Sequence, residues 1–166
     1  MKVEAPFPIV VDREPPEMLV ADELAPCPYL PNRDARMPLR LPIRRLKRPE
    51  WERRLGDGDR RHGALLYRTA CPSCAACEPI RVDVKAFEMS RNHRRVVKKV
   101  QSRIKVRIGP TKMDIRRLHL YEQHLEGRGL RSENHQAITP ARYRNFLVES
   151  CCDTFELRYI EEDRLV

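Results

Sequence analysis

No stretch of this sequence approaches the roughly 18 apolar residues that a membrane-spanning helix requires. Its first residues, Met1 to Asp12, carry Glu4 and two prolines. They have no basic start followed by a long apolar run, so they do not read as a secretory signal. Internal repeats and low-complexity blocks are missing as well. These absences predict a cytoplasmic protein, in a compartment where thiols stay reduced. Six cysteines in that setting point to metal binding or catalysis rather than to disulfides.

What the sequence does have is charge. Its 166 residues suit one domain, or one and a half small ones. A hydrophobic fraction of 41% allows a modest core. The 33 Lys and Arg outnumber the 24 Asp and Glu, giving a formal net charge of +9 and a pI near 9.6. Such a balance says little about fold. It points to polyanions, above all nucleic acids, as partners, with a solvated basic face as the bland counterpart.

Met1 to Ala25 reads as a tail punctuated by Pro6, Pro8, Pro15 and Pro16, since proline donates no backbone hydrogen bond. Within it, Pro8 to Val11 is an apolar patch suited to an edge strand. Arg33 to Pro49 is rich in Arg and Pro without a clean period and reads as extended surface backbone. Pro49 to Leu55 suits a short helix with Pro in its first turn, ended by the turn at Gly56 to Asp59. Leu65 to Tyr67 reads as a short strand. Ile80 to Ala86 alternates Ile80, Val82 and Val84 with Arg81, Asp83 and Lys85, the pattern of a half-buried strand. Ser90 is placed to cap a helix over Arg91 to Gln101. Further along come a strand at Ile104 to Ile108 and a helix over Lys112 to Glu126, with Leu118, Tyr121 and Leu125 on one face. A polar loop follows at 127–138, then a helix starting at Thr139-Pro140 that turns Tyr143, Phe146 and Leu147 inward. The last elements are a strand over Thr154 to Ile160, a hairpin turn at Glu161 to Arg164 and a return strand from Leu165. Helices and strands in this order read as an α+β chain. A final strand without a partner leaves an unpaired edge, which native domains avoid; the expectation is a truncated fold.

Three thiols fall within seven residues in Cys71-Pro72-Ser73-Cys74-Ala75-Ala76-Cys77. Overlapping C-x-x-C spacings let one loop wrap three sulfurs around a single centre. Cys27, also followed by proline, is the natural fourth ligand, and His62 is the alternative. Zinc and an iron–sulfur cluster both accept four thiolates, and the spacing does not choose between them. Cys151 and Cys152 read as packing residues.

Ser90 to Val100 is the other strong feature. His93, Val96, Val97 and Val100 form a stripe expected to be buried, with His93 as a core histidine. Arg91, Arg94, Arg95 and Lys98 form another stripe, with Lys99 beside it. Arg81 to Arg107 holds ten Lys and Arg against two Asp and Glu. Such a face suits phosphate contacts, which give affinity but little sequence reading.

The string Arg60-Arg61-His62-Gly63, Tyr67, Cys71-x-x-Cys74-x-x-Cys77-x-Pro79-Ile80-Arg81-Val82, Phe87 and Ser90-Arg91-x-x-Arg94-Arg95 resembles the N-terminal region of arginyl-tRNA–protein transferases, in particular the bacterial aspartate/glutamate leucyltransferases. Cys27-Pro28-Tyr29-Leu30 resembles that family's opening Cys-x-Tyr-Leu. Asn92 and His93 stand where the family usually has another pair, and His62 where it often has Ser. The resemblance implies a cysteine-rich N-terminal domain over 26–109 and the first elements of a GNAT-like acyltransferase domain over 110–166. It implies transfer of Arg or Leu from aminoacyl-tRNA to the α-amine of proteins beginning with Asp or Glu, in the N-end-rule pathway. Metal ligands would be Cys27, Cys71, Cys74 and Cys77. Arg60, Arg61, Arg81, Arg91, Arg94, Arg95, Lys98 and Lys99 would meet tRNA phosphates or the acidic side chain. A four-cysteine nucleic-acid-binding module without catalysis is the competing reading.

Overall fold

The computed structural model describes residues 9–130 and 137–166. The start of the expected tail and the middle of the expected polar loop lie outside them. The chain divides into two compact units, one of Met1–Pro79 with Asn145–Asp153 and one of Ile80–Arg144 with Thr154–Val166. The first break, after Pro79, comes well before the boundary expected after Gly109. Among the described residues no helix is long and apolar enough to cross a membrane.

The first unit contains a five-stranded antiparallel sheet in the order β1 (Ile9–Val11), β2 (Glu17–Ala21), β5 (Leu39–Pro42), β7 (Leu65–Tyr67), β6 (Arg60–His62). A separate hairpin pairs β3 (Leu24–Pro26) with β4 (Asp34–Arg36). The edge strand at Ile9 is as expected, but the tail reading does not hold beyond it. Pro15 and Pro16 sit just before β2, where a missing N–H costs the ladder nothing. The expected surface run after Arg33 is also corrected: it supplies β4 and β5, and Ala35, Arg40, Pro42 and Leu46 are buried. Helix α1 (Arg48–Gly56) carries Pro49 in its first turn. Leu46, Leu66, Cys151 and Cys152 form the apolar core, with Trp51 packed against it.

An ionic core lies beside the apolar one. Glu17 is fully buried and meets Arg40 at 3.0 Å and Arg54 at 2.8 Å. Asp59 meets Arg40 at 2.7 Å and both Arg13 and Arg68 at 3.3 Å. Buried carboxylates persist only when paired in this way. Nothing in the local sequence marks them, because the partners come from β2, β5, α1 and the loop before β6.

The second unit holds a three-stranded antiparallel sheet in the order β10 (Arg164–Leu165), β9 (Glu156–Glu161), β8 (Ile104–Gly109), with helices α2 (Arg91–Val100), α3 (Ile115–Gly127) and α4 (Pro140–Tyr143). The β9–β10 turn places Glu162 and Asp163 at positive φ, 48° and 62°, as a two-residue hairpin turn requires. Leu118, Leu125 and Tyr143 are buried, and Tyr143 meets Tyr121 edge-on at 5.7 Å. After α4 the backbone continues as a π-helical turn over Arg144–Val148. Two expectations fail here. Ile80 to Ala86 forms no strand, and Ile80 is 92% exposed; an alternating pattern marks a face but does not supply a partner strand. The stripe of α2 is not buried either: Val96, Val97 and Val100 are 50%, 45% and 37% exposed.

Candidate functional site

The cysteines are positioned by hairpins of the first unit. The β3–β4 hairpin closes a loop over residues 27–33, in which the Cys27 N–H donates to the Arg33 carbonyl at 2.8 Å. β7 runs on into the Cys71–Cys77 loop, which has almost no regular structure. That loop is tied down at its start, middle and end. The Ala70 N–H donates to the Arg36 carbonyl at 2.8 Å, Arg33 Nη1 to the Ser73 carbonyl at 3.1 Å, and Arg60 Nη2 to the Cys77 carbonyl at 3.1 Å. The last two ties come from guanidinium groups, which are rigid, multi-donor and always charged.

The result is a cavity of about 460 Å³ whose wall includes Cys27, Cys71, Cys77, Arg60, His62 and Tyr67. Its remaining lining is largely small or apolar, with Glu23 an acidic exception. The fold brings Cys27, the fourth cysteine expected from the sequence, to the same wall as Cys71 and Cys77. Cys74 lies on the loop without lining the cavity. All four thiols are partly exposed. The donor chemistry is that of a thiophilic site, yet among the described residues no three His, Cys, Asp or Glu side chains stand close enough to hold a metal ion as they are. His62, the alternative ligand, faces Phe146 at 4.7 Å between ring centroids.

The basic residues separate into distinct places. Arg60 is at the cavity. Arg61 binds the carbonyls of Gly63 and Glu149, each at 3.1 Å, so it braces the segment 145–153 against β6. Arg81 is exposed on the irregular stretch after Pro79. Arg91, Arg94, Arg95, Lys98 and Lys99 all lie exposed on α2. Arg94 donates to the Met89 carbonyl and Arg95 to Asn92 Oδ1 at 2.8 Å. Ser90 caps the helix by accepting the His93 N–H at 3.2 Å, and His93 Nδ1 accepts the Ser90 N–H at 3.2 Å in return. His93 is therefore a capping residue with Phe87 alongside, not the core histidine expected.

Cys151 and Cys152 are buried in the core as packing residues. Desolvation pushes the Cys151 thiol up to about 11, which leaves it protonated and inert near neutral pH. The second unit contains a polar cluster with no sequence signal: Arg117, Asp114, Glu156 and Arg158. Arg117 grips the Glu156 carboxylate through Nε, at 3.1 and 3.0 Å, and through Nη2.

Residues 25–95, which contain Cys27, Arg60, Cys71 and Cys77, match the family described as the N terminus of arginine-tRNA-protein transferase. The aspartate/glutamate leucyltransferase of Marinobacter nauticus is 32% identical over 142 residues, covering 84% of this chain and 58% of that protein. Its counterpart from Halorhodospira halophila is 33% identical over 136 residues, covering 80% and 56%. A third, from Vibrio vulnificus, is 38% identical over 77 residues, covering 46% and 33%. The chain thus spans little more than half the length of the first two of these relatives. With Cys27, Cys71 and Cys77 on one cavity wall and the match running from β3 into α2, the chain matches the aminoacyl-tRNA–protein transferase family over its N-terminal region.

Proposed function

We propose that this chain acts in the transfer of leucine from aminoacyl-tRNA to the α-amine of cytoplasmic proteins that begin with Asp or Glu, which marks them for N-end-rule degradation. One observation carries the reading: the stretch that matches the family is the stretch that builds the cavity around Cys27, Cys71, Cys77 and Arg60. Leucine is preferred to arginine as donor because the relatives compared above are named leucyltransferases. The second unit, on this reading, supplies the first elements of a GNAT-like acyltransferase fold.

The chemistry asks little of side chains. The neutral amine attacks the ester carbonyl, the ribose hydroxyl leaves with the proton, and a peptide bond replaces the ester. An ester is already activated, so positioning and a held oxyanion account for most of the rate. A terminal amine has a pKa near 8, so a usable fraction is neutral at about pH 7. On this reading Arg60 attracts an acidic first side chain into the cavity, and the α2 cations bind tRNA phosphates. Cys27, Cys71, Cys74 and Cys77 would hold zinc or an iron–sulfur cluster; the former braces loops, and the latter adds electron storage.

The test offers Leu-tRNA and Arg-tRNA in parallel, with peptides beginning Asp, Glu or Ala. Leucine on the acidic peptides alone supports the reading. Arginine in its place changes the donor. tRNA binding without transfer favours the four-cysteine binding module, a reading that the exposed basic face of α2 also suits.

A further inference from the structure

The second unit gathers cations that the reading above leaves without a role. β8 and β9 run antiparallel, with Arg107 opposite Arg158 and Gly109 opposite Glu156. Residues facing each other across a strand pair share one side of the sheet, and like charges there repel. Gly109 is what lets Arg158 lie where it does. A Cβ on Gly109 would stand 2.1 Å from Arg158 Nη2, so any other residue would push the guanidinium off β8.

Glu156 is shared between Arg158 and Arg117. Its carboxylate is hydrogen-bonded by Arg117, which also binds Asp114. Arg158 Nε reaches Glu156 Oε1 at 3.3 Å, but this buried atom makes no hydrogen bond. Beside it opens a cavity of about 360 Å³ lined by Arg158, Lys112, Arg116 and Arg117, with Asp114 and Asp163 as its acids. Asp114 caps α3 by accepting the Arg117 N–H at 3.1 Å and lies 3.7 Å from Lys112. The end of the helix is therefore already capped, and the four cations Lys112, Arg116, Arg117 and Arg158 stand against the three carboxylates Asp114, Glu156 and Asp163, a surplus of one positive charge.

We propose that this cavity is a phosphate-binding site, with Arg158, Lys112 and Arg116 as donors and Gly109 seating Arg158. That the phosphate belongs to an RNA backbone rests on the transferase reading; a free nucleotide carries the same group. A guanidinium offers a paired set of N–H donors to phosphate oxygens, and Lys112 adds a point charge.

The experiment measures labelled tRNA binding to the full chain by fluorescence anisotropy across a salt series, with AMP as competitor. Variants are Arg158→Gln and Gly109→Ala, with Arg48→Gln as a charge-matched control on the exposed face of α1. Arg158→Gln is expected to lower the slope of log affinity against log salt by about 1 and to weaken binding several-fold. Gly109→Ala should act in the same direction and Arg48→Gln should change nothing. AMP competition that disappears in Arg158→Gln supports the site with free nucleotide as an occupant; a slope change without AMP competition supports it with RNA as the source. Wild-type slope and affinity in a folded Arg158→Gln protein, judged by circular dichroism, overturn the site and leave the transferase reading intact. AMP binding through Arg158 without any tRNA binding keeps the site and removes the tRNA reading. Binding of neither overturns the site.

Discussion

Gly63 shows how a single backbone position secures the cavity wall. Its φ of +61° lies in the left-handed region, and a Cβ there would sit 2.1 Å from the Asn145 carbonyl oxygen. Both facts exclude side chains. Gly63→Ala is expected to cost roughly 2 kcal/mol or more, read as a lower urea midpoint. Glu50 gives a pH-dependent counterpart. A hydrogen bond from Arg44, and then the Lys47 N–H, hold its carboxyl down at about 2. Its folded value is thus below the ordinary 4.5, so its contribution is fully present above that pH and is lost as pH falls toward 2. Glu50→Gln should lower the melting temperature slightly at neutral pH and flatten its dependence across the acid window. A change confined to alkaline pH would contradict this. The cysteines were legible at this scale, because thiols close in sequence share a loop. Arg60 was legible as charge and as part of the family string, and its grip on the Cys77 carbonyl was not.

Helix α2 is the element that the residue pattern marks best. Ser90, the basic stripe and the end of the helix all fall where that pattern puts them, because capping and helical period are local. Its burial does not follow from the pattern, since periodicity decides which residues share a face and not what covers that face. The exposed Arg94 and Arg95 give the element its test. Charge reversal of both should weaken tRNA binding and lower its salt slope by about 2. An unchanged slope would remove α2 from the tRNA surface. Ile80 to Ala86 fails for the same reason that α2 burial fails: alternation is local, but a strand needs a neighbour to pair with.

For the molecule as a whole, the ionic core of the first unit stakes stability on complete pairing. Glu17→Ala would leave Arg40 and Arg54 buried without their shared carboxylate, at an expected cost of about 3–5 kcal/mol. Thermal unfolding should show the change, and a variant as stable as wild type would mean that the two arginines re-pair elsewhere. The cysteine cavity gives the other prediction at this level. Protein purified without oxygen is expected to carry zinc, or iron with sulfide, that is lost in Cys74→Ala. Elemental analysis with a visible absorption spectrum separates the two metals. Absence of both would sink the four-cysteine site.

Features under short-range control could be read directly from the order of residues: the C-x-x-C-x-x-C loop, the Ser90 cap, the basic stripe, the hairpin turn at Glu162 and Asp163, and the family resemblance. Features that join distant segments emerged only with the folded chain. Folding made a sheet of the supposed tail, tied Arg60 to the Cys77 carbonyl, and buried Glu17 between Arg40 and Arg54. It also laid Arg158 over Gly109. Pairing and burial depend on which surfaces meet, and no residue carries that information alone.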